Sequence, residues 1–380
     1  MSGRIHIVAV MDLLHRHDTG FDEERSGFQT AYQHEPDIVV KATSAADVRD
    51  AVVYAKDSEL ALAVQSSGHG LNAALDGGLL ISTRRMDAVS VDPATQTAKV
   101  EAGATWEQVV DAAAEHGLAP LSGSSPGVGV VGYTLGGGLG VLARRYGYAA
   151  DHVRGIDVVT RDGEQRRVAR VEDVDGGVVT GMEFGLFPVE RIYGGGLYFG
   201  ADHVADLLAA YRKWTADMPD ELTSSVGLIT YPDLPMVPEL LRGRHVAHVR
   251  IAFIGDAATG ERLVAPLRDV GPRLMDTLAE MPFRESASIY NDPKQPHSYI
   301  GTNALLRELD ATVLEIIADL PGCVVQLNHL GGALADRGYL LRLVSVVDGS
   351  DDMRSVHQRV LDAVAPWTVG RAPNFVFGQR

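Results

Sequence analysis

The sequence predicts a two-domain protein of mixed helix and strand, divided near residue 190. Over residues 35–190 short apolar strands alternate with capped helices; beyond 190, amphipathic helices alternate with strands. A length of 380 residues allows two cores, and 46% hydrophobic with 22% charged residues is ordinary globular usage.

In chain order, Ser44 caps a helix running to Glu59, with Asp47 in its first turn and Val48, Val52, Val53 and Ala55 as its apolar stripe. LALAV (60–64) reads as a buried strand that SSGHG (66–70) breaks. LLIST (79–83), AVSVD (88–92) and AKVEAG (98–103) read as further strands. Thr105 and Gln108 form a capping box for a helix through Glu115, which Gly117 closes. IDVVT (156–160) and QRRVARV (165–171) form a hairpin about Asp162-Gly163. Helices are expected at 202–218, 256–280, 303–319 and 351–364. They alternate with the strands SVGLIT (225–230), HVRIAFIG (248–255), CVVQLNH (323–329) and LLRLVSVV (340–347).

Composition excludes several classes of function. A net charge of −16 repels nucleic acid and anionic membrane. The single cysteine, Cys323, permits neither an internal disulfide nor a cysteine-ligated zinc site. No apolar run reaches the roughly 18 residues of a membrane span. The N-terminus lacks a basic leader and a small-residue cleavage site. A soluble cytoplasmic protein, monomer or homodimer, is expected.

Glycine is concentrated in two loops. Gly127-Val-Gly129-Val-Val-Gly132 matches a dinucleotide fingerprint, with Asp151 downstream. LSGSSP (121–126) is no hydrophobic strand, however, and GGGLG (136–140) interrupts the expected helix, so a Rossmann unit is disfavoured. Together SSGHGLN (66–72) and GSSPGVGVVGYTLGGGLG (123–140) offer many open backbone amides, and neither stretch contains Lys or Arg. Such nests bind a diphosphate without basic side chains. His69, between Gly68 and Gly70, has an imidazole free to approach a ring system.

These two motifs resemble the flavin-binding half of the berberine bridge enzyme-like flavoproteins, in the vanillyl-alcohol oxidase superfamily. The resemblance runs from about residue 34 to the C-terminus. It implies an α+β fold: a two-lobed PCMH-type FAD-binding domain over 1–190, completed by 365–380, and an α+β substrate domain over 191–364 with an antiparallel sheet flanked by helices. It also implies FAD bonded through the flavin C8 methyl group to His69. Ser125 stands where some members carry a second linking cysteine, so a single attachment is expected. Matched residue by residue, Gln65, Ser66, Ser67, Gly68, His69, Gly70 and Leu71 hold pyrophosphate and flavin. Gly123, Ser124, Gly127, Val128, Gly129, Gly132 and Tyr133 line flavin and ribityl chain, with Gly137, Gly138 and Gly140 close behind. Val178 and Val179 meet the adenine side, and Asn374 hydrogen-bonds the flavin.

The chain departs from the family pattern near 173–177, near 335–338 and after GRAPNFVFGQR (370–380), where members are longer. These departures predict a longer protein from which loops and a tail are missing here. The family's Tyr-x-Asn-Tyr element reads Ala372-Pro373-Asn374-Phe375, which supplies no base. Alternation on CVVQLNH puts Gln326 and Asn328 on one face, with Val325, Leu327 and His329 on the other. His329 and Tyr339 are the replacement candidates for catalysis, with Tyr290 a further one. The His245-Val-Ala-His248-Val-Arg250 run reads as a solvated or edge strand, and no metal is expected. The apolar face carrying Val226, Leu228, Ile251, Phe253 and Leu327 is expected to receive a flat hydrophobic substrate. The implied function is an FAD-dependent oxidoreductase that takes a hydride from a small secondary-metabolite-type molecule, with dioxygen or another acceptor reoxidising the flavin. The alternative is a flavin-bearing drug-binding or resistance protein with little turnover.

Overall fold

The structure, a computed structural model, describes residues 11–71, 73–347 and 353–377. Expectations for 1–10, 351–352 and 378–380 lie outside the described residues, as do those for the side chains of 335–337.

Three sheets organise the chain. The first has strands β1 (Leu13–His15), β2 (Ile38–Lys41), β3 (Leu62–Gln65) and β4 (Leu79–Ser82) in the order β1-β2-β4-β3, with helices α1 (Phe21–Arg25) and α2 (Ala45–Asp57). Ser44 accepts the Asp47 amide as α2's cap, and Val48, Ala51, Val52 and Ala55 are buried. LALAV is not a buried strand: β3 forms the sheet edge, leaving Leu62 37% and Val64 42% exposed. The second sheet is antiparallel: β5 (Val89–Asp92), β6 (Thr97–Glu101), β7 (Val153–Val159), β8 (Gln165–Val168) and β9 (Val178–Gly185), ordered β5-β6-β9-β7-β8. Helix α3 (Trp106–Ala114) starts from the expected Thr105–Gln108 capping box. Two shorter helices, α4 (Val130–Leu135) and α5 (Ala143–Tyr146), follow it. Val159 and Val178 extend the second sheet's apolar surface into the core beneath α2, so the two lobes share a core.

The third sheet is an antiparallel wall of nine strands: β10 (Arg191–Gly200), β11 (Leu222–Thr230), β12 (His245–Phe253), β13 (Arg273–Asp276), β14 (Ala279–Pro282), β15 (Tyr299–Leu306), β16 (Val324–Gly331), β17 (Leu334–Val346) and β18 (Thr368–Gly370). Its central run is β10-β12-β11-β16-β17-β15. Four helices, α6 (Val204–Thr215), α7 (Ala257–Arg268), α8 (Ala311–Ile317) and α9 (Met353–Val364), cover one face. The fold is α+β.

Two expected helices are shorter than their apolar patterns. Gly271-Pro272 ends α7's stretch, and 273–282 turns into β13 and β14. Asn303–Leu306 belongs to β15, because Asp310, whose carboxylate accepts the Thr312 amide, caps the helix there. The terminal segment also divides. Thr368–Gly370 pairs with β15, in the third sheet, and only the residues after it reach the glycine loops.

The faces of the wall are the reverse of the expectation. Val226, Leu228, Ile251, Phe253 and Leu327 lie in the helix-covered core with Leu207, Val264, Val313 and Val360. Helices need the apolar face, so the face turned to the glycine loops is polar. His248 and Arg250 of β12 are likewise misread as solvated: the strand is central, and they are 1% and 2% exposed.

Candidate active site

The loop after β3 is moulded against an upstream segment. Phe28 and Gln29 donate their amides to the Ser67 and Gly68 carbonyls. Gly68 has φ +67°, and a Cβ there would lie 2.5 Å from the Gly27 Cα, so no other residue fits. The Gln65 amide binds the Arg25 carbonyl and fixes the loop's start. Gly70 and Leu71 complete the loop.

His69 is held on several sides. Its ring stacks on Phe28 at 3.9 Å, its Nδ1 lies 3.0 Å from Ser67 Oγ, and Tyr299 donates to its carbonyl at 2.6 Å. Nε2 is buried without a partner. Burial, assisted by His297, lowers its pKa to about 4, so the imidazole is neutral at physiological pH. A Cβ on Gly127 would stand 3.7 Å from the ring, which places the second glycine loop against it. The Gly129 amide donates to Ser67 Oγ at 3.1 Å, tying the two loops together beside Ser66 and Val128.

The second loop divides its glycines between two tasks. Gly127 and Gly132 meet open space or His69, whereas Gly123, Gly138 and Gly140 make room for the Tyr133 ring or the Ser122 carbonyl. Tyr133 is buried and bonded to the Leu121 carbonyl, so it shapes the loop from behind rather than lining it. Asn374 accepts the Gly138 amide at 2.9 Å and donates to the Tyr133 carbonyl at 2.8 Å, and it packs beside Gly137. Val178 and Val179 are buried, in the first and second lobes' cores respectively. Ser124 donates to Asp292, linking this loop to the wall.

The wall presents Arg250, Ser225, Gln326, Asn328 and Arg342 on the side of these loops. Tyr290 sits among them, its hydroxyl 2.9 Å from Ser225 Oγ and 3.2 Å from Asn328 Nδ2. The structure does not bring His329 and Tyr339 to this place. They pair across β16 and β17 on the parity of Leu327 and Leu341, towards the helices. His329 Nε2 lies 3.1 Å from the Arg144 guanidinium, and burial with that charge lowers its pKa to about 3; Tyr339 bonds Thr215. Phe28, Tyr299, Asp292 and Arg342 were missed because none lies in a local motif. Arg250's signal was a charge at an alternating position of an otherwise apolar strand.

A cavity of about 530 Å³ on the outer face of the second sheet is lined by Lys99, Asp157 and Arg167. Its charges already pair with one another, so it offers no comparable chemistry.

A model described as "FAD binding domain" matches residues 36–169. The unpartnered imidazole and the amide-rich loops fit that cofactor. The chain carries an FAD binding domain over residues 36–169 and is similar to FAD-linked oxidoreductases. Among the relatives of this flavoprotein is (R)-6-hydroxynicotine oxidase of Paenarthrobacter nicotinovorans, 29% identical over 291 residues, or 73% of this chain and 62% of that protein. An FAD-linked oxidoreductase of Dictyostelium discoideum is 26% identical over 382 residues, 90% of this chain and 81% of its own. The solved structure of the Physcomitrella patens protein BBE-like 1 shares the fold with a TM-score of 0.83, at 16% identity, covering 98% of this chain and 91% of that one. The chain thus spans under two thirds of the nicotine oxidase relative's length.

Among the described residues no helix is long and apolar enough to cross a membrane, and no group of His, Cys, Asp and Glu could hold a metal ion.

The buried histidines have a consequence for stability. His34, His248, His329 and His357 are all 8% exposed or less, and burial lowers the pKa of each. The unfolded chain binds their protons near pH 6.5, and the folded chain binds them only at lower pH. Stability is therefore full above 6.5 and falls as pH drops, by up to about 1.4 kcal/mol per unit for each group. Thermal melts of the protein should show Tm falling by about 5 °C or more between pH 7 and pH 5. A flat profile over that range would contradict these protonation states.

Proposed function

We propose that this flavoprotein is an FAD-linked oxidase, its flavin bonded to His69 alone, acting on a small molecule between the glycine loops and the polar face of the wall. The observation that carries the reading is the His69 imidazole: neutral, oriented by Phe28 and Ser67, with one nitrogen buried and unpartnered against Gly127. A neutral imidazole has the lone pair that such a bond requires. Ser66, Ser67, Gly68, Gly127 and Gly129 would hold the diphosphate and the edge of the flavin through backbone and hydroxyl groups.

When bound, the flavin supplies a hydride acceptor that dioxygen can reoxidise. The chain's own part is to position the substrate and move its proton. Tyr290 carries the only hydroxyl held jointly by Ser225 and Asn328 among the described residues, and we place it against the substrate as the proton-bearing group. Asn328 and Gln326 orient by hydrogen bonds only. Cys323 is buried, and cytoplasmic residence fits its unpaired thiol. The oxidase activity named for the nicotine relative agrees with dioxygen as acceptor.

Turnover is the test. Purified protein supplied with candidate amines, alcohols and hydroxy acids should release many equivalents of peroxide per flavin. One equivalent, with the flavin bleached and then silent, would instead identify a protein that binds its ligand without turnover.

A further inference from the structure

Across the polar face of the wall, the register places Gly196, Arg250, Ser225 and Asn328 side by side on four neighbouring strands. Arg250 is 2% exposed, yet its neighbours are small. A Cβ on Gly227 would stand 2.8 Å from its guanidinium nitrogens, so glycine at that position keeps the space open. The guanidinium lies 4.5 Å over the Tyr290 ring, and its Nε donates to His248 Nδ1 at 3.2 Å. Its Nη1 is buried with no partner, as is Asn328 Oδ1.

A second guanidinium, Arg342, lies in the same electrostatic neighbourhood. It stacks on Phe375 at 3.8 Å and donates to Gln326, leaving Nε unpartnered. Neither arginine has a carboxylate within ion-pair distance among the described residues. Asp292 attracts Arg342 from a distance while its carboxylate accepts the Ser124 hydroxyl. His69 and His248 are neutral. Two cations and one carboxylate leave one positive charge uncompensated, and Arg250 is 2% exposed. Buried charge of this kind is expensive unless something pairs with it, and a guanidinium fork matches a carboxylate in shape and hydrogen bonds.

We propose that Arg250 is a substrate-binding residue and that the substrate is a monoanionic carboxylate, seated on its fork beside the Tyr290 hydroxyl. This rests on the reading of the cleft as the oxidase's substrate site. It replaces the flat hydrophobic molecule expected from sequence, because the apolar face is taken by helices.

The test uses benzoate and benzamide, matched in shape and differing in charge, titrated into the flavin-loaded protein. Flavin absorbance and thermal shift are both read. Benzoate should perturb the flavin spectrum, raise Tm and bind at least tenfold tighter than benzamide. Arg250→Met should weaken benzoate about 10- to 100-fold and leave benzamide unchanged. Arg250→Lys should recover only part of the loss, since it keeps charge without the fork. Should the buried substitution unfold the protein, Gly227→Ala displaces the guanidinium with charge intact and should weaken benzoate in the same way. Equal binding of the two probes, or wild-type benzoate affinity in Arg250→Met or in folded Gly227→Ala, would overturn the proposal. Protein that retains no flavin defeats the oxidase reading instead. The thermal shift with benzoate then still decides whether the anion site exists.

Discussion

His69→Ala should yield protein whose denatured band no longer fluoresces after an acid soak, while the wild-type band does. The substitution removes one ring from the Phe28 stack and frees Ser67 Oγ, both tolerable at a half-buried loop. The backbone bonds of 67–68 to 28–29 do not involve the imidazole, so the loop should keep its shape and hold flavin by its amides alone. The yellow colour is then expected in the supernatant of denatured protein. Losing the bond should lower the flavin potential and slow hydride uptake, by about tenfold for each 1.4 kcal/mol of transition-state stabilisation lost. The variant also lacks one group with a depressed pKa, so its Tm should fall less steeply below pH 6.5 than that of the wild type. A fluorescent His69→Ala band would move the attachment to another residue and remove the observation on which the oxidase reading stands.

Tyr290→Phe should cost about 10²- to 10⁴-fold in kcat, the usual worth of a positioned proton-transfer group. The ring remains under Arg250, so the cation keeps its aromatic neighbour and substrate affinity should change little. Ser225 and Asn328 lose their shared partner, a loss of about 1–3 kcal/mol in stability that leaves the fold intact. Flavin content should be unchanged. The informative comparison is kcat against KM: a drop confined to kcat assigns the hydroxyl to the transition state, whereas a rise confined to KM reduces Tyr290 to a binding contact. A kcat within threefold of the wild type would send the search for the proton carrier elsewhere.

How much of this was legible in the sequence depended on whether the physics is local. The geometry of the two glycine loops could be read because their requirement is written at the residue itself: Gly68 at positive φ, small residues wherever backbone meets backbone, a histidine between glycines. The Thr105–Gln108 capping box and the Asp162-Gly163 turn could be read for the same reason. Alternation on the wall strands gave the parity of each residue, but parity does not say which side the helices occupy. Placing the ligand on the Val226–Leu228 side followed from treating an apolar face as a pocket, although four amphipathic helices needed that face. His329 and Tyr339 were carried to the wrong side by the same step. Phe28 against His69, and Tyr299 bonded to a carbonyl 230 positions away, are products of tertiary packing and leave no local trace.

The stretch from β18 to Phe377 has a bearing on how the protein is made. Within ten residues it adds a strand to the wall, bonds Asn303 through Ala372, pins the second glycine loop through Asn374 and brings Phe377 to 5.5 Å from Tyr299. These fastenings leave the ribosome about 300 residues after His69. At about 5–20 residues per second, the histidine loop waits tens of seconds for the pieces that secure its surroundings. The second glycine loop therefore gains its full set of contacts only once this distant stretch has folded back onto it.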